Sequence, residues 1–268
     1  SHGAESCGCA FHQRRRLFSG LAAGAACMAL DPTAALAQSA PTAPPVEEGV
    51  ARDVGKISIF AKAAPAEQVE EAAATQFSQM KRQAQQQNAL AGADHPQLVR
   101  LRTIADRIIP FAPQWNPRAR QWRWEVQLIG SQQVNAFCMP GGKIAFYWGI
   151  LSKLQLSDDE VAMIMGHEVA HALREHARER MGKSTATRVG ANIVSSVLGL
   201  GSLGDAALSM GAQLLTLKFS REDESEADLV GLELASRAGY NPEAGVTLWQ
   251  KMLQANKGAP PEFMSTHP

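Results

Sequence analysis

Apolar and polar residues follow two different periods along this chain, and each period predicts local structure. Residues 96–109 carry apolar side chains at helical spacing, and the prolines at 110 and 113 end that pattern. Residues 122–128 alternate apolar and polar side chains, as in a half-buried strand. Residues 134–151 then indicate a strand, a Pro-Gly-Gly turn and a second strand. The pattern therefore predicts an α+β fold that is mainly helical and has a small sheet.

Further helices are indicated on both sides of these strands. Residues 157–160, Ser-Asp-Asp-Glu, match a capping box, and the helix that they open is predicted to continue through MGHEVAHALREHARER, residues 165–180. A last helical region contains residues 220–239, with Gly239 standing where a helix would stop. Residues 65–90 are rich in Ala, Gln and Glu and predict a helix that lies against the domain.

Residues 189–217 form an apolar stretch whose role the pattern leaves open. They carry one charged residue, Asp205, and five glycines interrupt them, so a membrane span is not favoured. Two closely packed helices or a flexible flap fit this composition better. Shallow contact with a membrane surface is the third interpretation.

The first 37 residues have the layout of a secretory signal peptide. Three arginines at 14–16 precede a weakly apolar run at 17–30, and Ala35-Leu36-Ala37 matches the usual cleavage site. The arginines also resemble a twin-arginine signal, so we expect a periplasmic protein. An uncleaved anchor, a disordered tail and a lipoprotein attached through Cys27 are the alternatives. A linker and peripheral helix at 38–92 and one folded domain at 93–268 would follow.

The composition is that of an ordinary folded protein. Apolar residues make up 45 % of the chain, charged residues 19 %, and the formal net charge is zero. This balance gives no reason to expect nucleic acid as a partner. Beyond the predicted cleavage site Cys138 is the one remaining cysteine, so we expect no internal disulfide and interpret Cys138 as a small buried side chain.

The motif His-Glu-Val-Ala-His predicts a metal site on the helix that follows the capping box. His167 and His171 are four residues apart, so their imidazoles share one helical face and can bind one Zn²⁺. Glu168 is placed to reach a metal-bound water rather than the metal. A solvated helix that happens to be rich in histidine is the alternative. His176 falls well round the helix from His171 and is assigned a structural or surface role.

A second acidic motif favours the metal site over a solvated helix. Glu224 and Asp228 are also four residues apart, so both face one side of a second helix. A catalytic zinc needs a third protein ligand and an open fourth position, and Glu224 can supply that ligand. Asp228 can accept a hydrogen bond from the far nitrogen of a ligating histidine.

These motifs together resemble a known family. His-Glu-x-x-His followed by Ser-Arg-x-x-Glu-x-x-Ala-Asp resembles the gluzincin metallopeptidases that include HtpX, the CAAX prenyl endopeptidases, mitochondrial Oma and bacterial periplasmic BepA. Residues 134–151 and the Ser-Thr-His-Pro segment at 265–268 are also similar to that family. The resemblance implies a zincin-like metallopeptidase domain with a small sheet beside the active-site helix. Without a convincing membrane span, the chain is expected to lie closest to the exported BepA-like branch.

The expected function is zinc-dependent cleavage of polypeptides. Glu168 would take the proton of the attacking water and pass it to the leaving amine. An extended substrate would add as a strand beside the second strand of the hairpin, at Gly142, Lys143, Ile144 and Ala145. Unfolded or misassembled envelope proteins would be the substrates. A zinc-containing, chaperone-like protein that binds clients without cutting them is the rival interpretation.

His267 carries a separate prediction. It follows two prolines and precedes Pro268, so it should lie in a loop. A loop that folds back could place its imidazole on the metal and block the site, which is the role we favour. Donation to the oxyanion of the reaction and an idle position in an exposed tail are the alternatives.

Overall fold

The computed structural model describes residues 54–191, 214 and 217–255. Short 3-10 helices at Ile59–Ala63, Ile109–Gln114 and Pro117–Arg120 join some of the longer elements. The ten longer elements of the described residues are α1 (Ala66–Gln86), α2 (Pro96–Ile108), β1 (Glu125–Ile129), β2 (Ala136–Met139), β3 (Lys143–Tyr147), α3 (Trp148–Leu154), α4 (Asp158–Leu173), α5 (His176–Ala191), α6 (Arg221–Arg237) and α7 (Ala244–Ala255). The prediction of a mainly helical α+β fold with a small sheet is confirmed.

Helix α4 runs through the centre of the core. Every residue from Glu160 to Leu173 is buried, including the charged and polar ones. The helix packs against α2, α6, α7 and β2. A helix that is buried all round has neighbours on every side. Any chemistry on α4 therefore takes place within the core and has to be reached through a pocket.

Helix α2 forms one wall of that core in the way the sequence predicts. Leu98, Leu101, Ile104 and Ile108 are each at most 1 % exposed, so the apolar stripe faces inwards. The helix ends at Ile108, where the proline-containing 3-10 helix takes over. The predicted helix and its boundary at Pro110 are confirmed.

The sheet has the order β1-β3-β2, which corrects one prediction. Strand β3 pairs in parallel with β1 and antiparallel with β2. Lys143, Ile144 and Ala145 thus lie on the central strand, with Gly142 in the turn before it, and both of the strand's edges are occupied. No substrate strand can add there, so that assignment was wrong. Among the described residues, β2 pairs with β3 alone and is the strand that packs on α4.

The chain breaks between α4 and α5, where the sequence predicted one helix through Arg180. Glu175 has a positive φ of 60°, which an α-helix cannot contain. Its carboxylate accepts hydrogen bonds from Arg178 and, at 3.4 Å, from Asn116 Nδ2. Asn116 also donates to the carbonyl of Leu173, which ends α4. Contacts with a distant segment therefore stop the helix and turn His176 back towards it.

Some predictions concern residues outside the described ranges. The signal peptide at 1–37, the alternative anchor Cys27, most of residues 189–217 and His267 belong to this group, and each stays a prediction. The boundaries at 38–92 and 93–268 also stay predictions. Among the residues that the structure describes, we find no helix with the length and apolar character that crossing a membrane requires.

Candidate metal centre

Two glycines let α4 and α6 approach each other to backbone contact. A Cβ added at Gly166 would lie 2.5 Å from the carbonyl oxygen of Gly231. A Cβ added at Gly231 would lie 2.5 Å from the backbone nitrogen of His167. Neither position has room for a larger residue, so the crossing fixes how close the first turns of α6 come to the histidines. Ala227, fully buried one turn earlier on α6, keeps that spacing.

The start of α6 is held in place by its own capping box. The Ser220 hydroxyl accepts from the Asp223 backbone amide, and the Asp223 side chain accepts from the Ser220 amide. Asp223 also accepts a hydrogen bond from Arg180 at 2.9 Å, which ties α6 to α5. Glu224 follows directly in the first turn. Ser220 thus fixes where the helix begins, and with it where Glu224 lies.

The side chains of His167, His171 and Glu224 converge on one point. The two Nε2 atoms lie 3.0 Å apart. Glu224 places Oε2 3.5 Å from Nε2 of His167 and Oε1 3.5 Å from Nε2 of His171. With zinc bonds of about 2.0–2.1 Å, neighbouring ligand atoms of a tetrahedral site lie about 3.3–3.4 Å apart. The donor set and its spacing therefore fit a zinc ion.

Each histidine has a partner on the nitrogen that faces away from this point. Asp228 Oδ1 lies 2.9 Å from Nδ1 of His167. A carboxylate accepts, so Nδ1 carries a hydrogen, and Nε2 is the nitrogen that would bind a metal once the metal has displaced its proton. Nδ1 of His171 lies 2.9 Å from Nδ1 of His176, whose Nε2 lies 3.3 Å from Glu226. Glu226 is a carboxylate and accepts from His176, so His176 accepts in turn from Nδ1 of His171, and Nε2 of His171 is the nitrogen that would bind a metal.

His176 and Phe219 are parts of the site that sequence reasoning missed. His176 is 1 % exposed and contacts His171, although the predicted unbroken helix placed it on another face. The ring of Phe219 stacks on that of His171, with centroids 4.0 Å apart and planes 23° from parallel. The sequence did show a signal for His176, since it is the third histidine of the stretch 165–180. The break at Glu175 that makes the contact possible had no such signal.

Burial and like charges control the protonation of the carboxylates. Burial raises the pKa of Glu168 to about 8 and also raises the pKa of Glu224. Burial lowers the pKa of His167, but hydrogen bonds to Asp228 and Glu224 outweigh it and raise that pKa to about 10. Without a metal, Glu168 and His167 therefore hold protons at neutral pH. A divalent cation would take the place of protons and satisfy the carboxylates.

Two pockets flank the convergent side chains. One, of about 230 Å³, lies between α4, α6 and α7 and is bounded by His167 and Glu224. The other, of about 220 Å³, lies beside strand β2 and is bounded by Glu168 and His171. Glu168 also accepts a hydrogen bond from the backbone of Cys138 on β2. The metal-binding group is thus open towards both pockets, as a catalytic site requires.

A His-Glu-x-x-His helix crossed by a helix that supplies a glutamate is an arrangement typical of metallopeptidases. The match to the model of peptidase family M48 covers residues 98–268, and the chain belongs to that family.

The curated relatives that the chain resembles are named as metalloendopeptidases or as a protease. Over 145 residues the chain is 39 % identical to mitochondrial metalloendopeptidase OMA1 of Arabidopsis thaliana, covering 54 % of this chain and 29 % of the relative. It is 33 % identical over 177 residues to OMA1 of Schizosaccharomyces pombe, covering 65 % of this chain and 50 % of the relative. It is 30 % identical over 152 residues to the beta-barrel assembly-enhancing protease of Escherichia coli strain K12, covering 53 % of this chain and 31 % of the relative.

The matches span half or less of the length of these relatives. They include both the Oma and the BepA branches that the sequence resembles. The identity to two OMA1 proteins is higher than that to the E. coli protease, so these comparisons do not favour the exported branch.

Proposed function

We propose that this metallopeptidase depends on zinc and cuts unfolded or misassembled polypeptides. The observation that carries the proposal is the convergence of His167, His171 and Glu224, with Glu168 buried on the same helix as the two histidines. Two neutral imidazoles and one carboxylate are a common ligand set of catalytic zinc. When bound, zinc would polarise the scissile carbonyl and lower the pKa of a coordinated water.

Glu168 acts as the proton carrier of the reaction. Its carboxylate receives the proton of the attacking water and delivers it to the leaving amine. Glu168 lies next to the ligand His167 in the chain and lines the pocket beside β2, so its carboxylate is placed between the metal position and that pocket. Asp228 and His176 hold the two imidazoles in the tautomers that leave Nε2 available.

The outer edge of β2 is the better candidate for binding an extended substrate. Its residues Ala136–Met139 line the pocket that also contains Glu168 and His171. Its other edge is hydrogen-bonded to β3. A substrate that adds along the outer edge would be held by its main chain, whatever its sequence, beside the proton carrier. This recognition suits polypeptides that have lost their fold.

The rival proposal is a zinc-containing protein that binds clients in a chaperone-like manner without cutting them. The position of Glu168 argues against it, because a structural metal needs no proton carrier beside it. Casein or another unfolded protein, incubated with wild type and with Glu168→Gln, separates the two. We expect cleavage by wild type alone and equal zinc in both. Zinc-loaded wild type that binds the substrate and never cuts it would support the rival.

The proposed compartment is the periplasm, and the support for it lies in the sequence of residues 14–37. Exported, misassembled envelope proteins would then be the substrates, in keeping with the name of the beta-barrel assembly-enhancing protease. Mass spectrometry of protein recovered from the periplasm should find Gln38 at the N-terminus. A lipid-carrying N-terminus at Cys27 would instead show a membrane-anchored lipoprotein.

A further inference from the structure

A segment that precedes α1 in the chain packs closely along helix α5. It comprises residues 54–64 and includes the 3-10 helix at Ile59–Ala63. A Cβ added at Gly182 of α5 would lie 2.0 Å from the carbonyl oxygen of Phe60, so the two backbones touch there. Arg178 of α5 also donates a hydrogen bond to the Ala64 carbonyl at 2.8 Å. The segment is therefore docked on α5, although the metal-binding group takes none of its residues from it.

Arg174 connects this segment to Glu226 on α6. Its Nη2 donates to the carbonyl of Val54 at 2.9 Å and to the carbonyl of Gly55 at 3.2 Å. Its Nε donates to Oε2 of Glu226 at 2.9 Å. The Arg174 side chain is 5 % exposed, so water competes little for these bonds. Because a guanidinium presents its donors in a rigid plane, carbonyls that fix one part of the group also fix the direction in which the rest points.

The oxygen that Arg174 holds is the same one that contacts His176. Nε2 of His176 lies 3.3 Å from Oε2 of Glu226. Nδ1 of His176 lies 2.9 Å from Nδ1 of His171, and His171 belongs to the metal-binding group. The side chain of Glu226 is 31 % exposed, so without Arg174 it could turn towards solvent. A continuous series of contacts thus runs from residues 54–55 to a ligand of the metal.

We propose that Arg174 is a positioning residue of the metal centre, and that the carbonyls of Val54 and Gly55 fix its orientation. The proposal rests on the proposed zinc site and adds a support that begins 120 residues away in sequence. Loss of a direct partner of a ligating histidine typically costs about 10–100-fold in metal affinity. Arg174 acts through Glu226 and His176, so we expect its loss to cost about 10-fold, the lower end of that range.

Gly55 offers a way to break this link without touching the metal centre. Its φ of 64° lies in the left-handed region, and this turn directs two successive carbonyls at one guanidinium. The residue is exposed, and a Cβ added there would meet no atom within 4 Å. Gly55→Asn and Gly55→Val therefore both have space. Asparagine tolerates the left-handed conformation and β-branched valine does not, so the two variants differ in the direction of the carbonyls.

Zinc affinity of the full chain, measured by competition with a chelator, is the first test. Arg174→Met should lose about 10-fold. Gly55→Val should lose part of that amount, and Gly55→Asn should stay close to wild type. When each is combined with Arg174→Met, Gly55→Asn and Gly55→Val should give equal affinities, because the link is already broken.

Arg100→Met is the matched control for the loss of an arginine. Arg100 likewise joins a carbonyl, that of Leu156, to a carboxylate, that of Asp158. It does so at the start of α4, whereas the two histidines lie in the second half of that helix. Arg100→Met should therefore keep wild-type zinc affinity, even if it lowers the stability of the fold.

A spectroscopic measurement separates positioning from stability. Cobalt(II) bound in place of zinc absorbs visible light according to the geometry of its ligands. Arg174→Met and Gly55→Val should change this spectrum, and Gly55→Asn and Arg100→Met should not. Thermal unfolding of the metal-free proteins identifies a temperature at which the variants are folded, and the Gly55 pair decides the matter if Arg174→Met does not fold.

Two results would overturn the proposal while the zinc site stands. One is equal zinc affinity and equal cobalt spectra in Gly55→Asn and Gly55→Val. The other is a folded Arg174→Met that is less stable than wild type but matches its affinity and its spectrum, since Arg174 would then only hold the fold together. A wild type that binds neither zinc nor cobalt would overturn the proposed function as well.

Discussion

His171 is held from both sides by side chains that come from outside its own helix. Phe219 stacks on its ring, and His176 contacts its Nδ1 and is itself held by Glu226. Glu226 also accepts a hydrogen bond from Arg174 at 2.9 Å. Burial raises the pKa of Glu226, but these hydrogen bonds outweigh it and lower the pKa, so the carboxylate stays charged. An ionised Glu226 keeps the hydrogen-bond order that presents Nε2 of His171 to the metal position.

Replacement of His176 tests this order. His176→Leu removes the acceptor for His171, and we expect zinc affinity to fall about 10–100-fold. Asn places its Oδ1 close to where His has Nδ1, so His176→Asn should retain much more of the affinity. Zinc affinity is measured by competition with a chelator. Equal affinity in wild type and His176→Leu would show that His176 only fills space.

The position of a side chain in the metal centre was predictable from the sequence where the spacing of residues along one helix determines it. His167, Glu168 and His171 needed only the helical period, and Glu224 and Asp228 needed the same period on a second helix. His176 could not be placed, because its position depends on the positive φ of Glu175. That conformation is stabilised by Asn116, which is 59 residues away in sequence.

At the scale of the elements, the contact of α4 with α6 determines whether the metal centre exists. Gly166 and Gly231 meet there, and each has backbone atoms of the other helix where a Cβ would stand. Backbone cannot move aside as a flexible side chain can, so any larger residue separates the helices.

Gly231→Ala should therefore weaken both the fold and the metal site. We expect a loss of about 1–3 kcal/mol in the free energy of unfolding, the usual cost of overpacking. Zinc affinity should fall as Glu224 moves away from the histidines. Gly245→Ala is the control, since it adds the same methyl group to a helix where there is space. Urea unfolding and zinc competition check both, and wild-type values for Gly231→Ala would contradict this packing.

The start of α4 is connected to α7 through a buried carboxylate. Glu160 caps α4 at Ser157 and accepts hydrogen bonds from Thr247 at 2.9 Å and Lys251 at 2.6 Å. Burial raises the pKa of Glu160, but these partners outweigh it and lower the pKa below its usual value of 4.5. A carboxyl group whose pKa is lower in the folded than in the unfolded state stabilises the fold at pH values above its unfolded-state pKa. That stabilisation is lost as the pH falls through the folded-state pKa.

Glu160→Gln should lower the free energy of unfolding by about 1–3 kcal/mol at pH 7, as for other hydrogen bonds to charged groups. The decline of stability below about pH 4.5 should be shallower in the variant than in wild type. Urea unfolding at a series of pH values, with a chelator present to exclude effects of zinc, measures this. Glu243→Gln is the control at an exposed site before α7, and its stability should match that of wild type at every pH. If the stability of Glu160→Gln depended on pH as that of wild type does, the connection would be refuted.

Local signals predicted the elements better than their pairing. The capping box at Ser157 and the hairpin around Gly141 and Gly142 are encoded in a few consecutive residues. Strands β1 and β3 pair in parallel in the sheet, although β2 lies between them along the chain. Nothing in the alternation of residues 122–128 indicates that β3 is the partner of β1. Sequence reasoning therefore mistook the central strand for the edge strand.

At the scale of the whole molecule, the described fold places one buried helix between two pockets. The β2 side offers an edge for main-chain binding, and the α7 side offers an apolar cavity. The family and the mainly helical α+β fold were predictable, because their motifs occur in order along the chain. The shape and lining of the pockets were not, since they depend on how α6 and α7 pack on α4.

The metal content of four proteins tests the central claim that His167, His171 and Glu224 form the zinc site and that Glu168 carries protons. Wild type and Glu168→Gln, purified and dialysed together, should each retain about one zinc ion per chain. Glu224→Ala should retain little, and Asp228→Asn should fall between, because loss of a partner to a ligand costs about 10–100-fold in affinity. Equal zinc retention in all four proteins would contradict the assignment of the site.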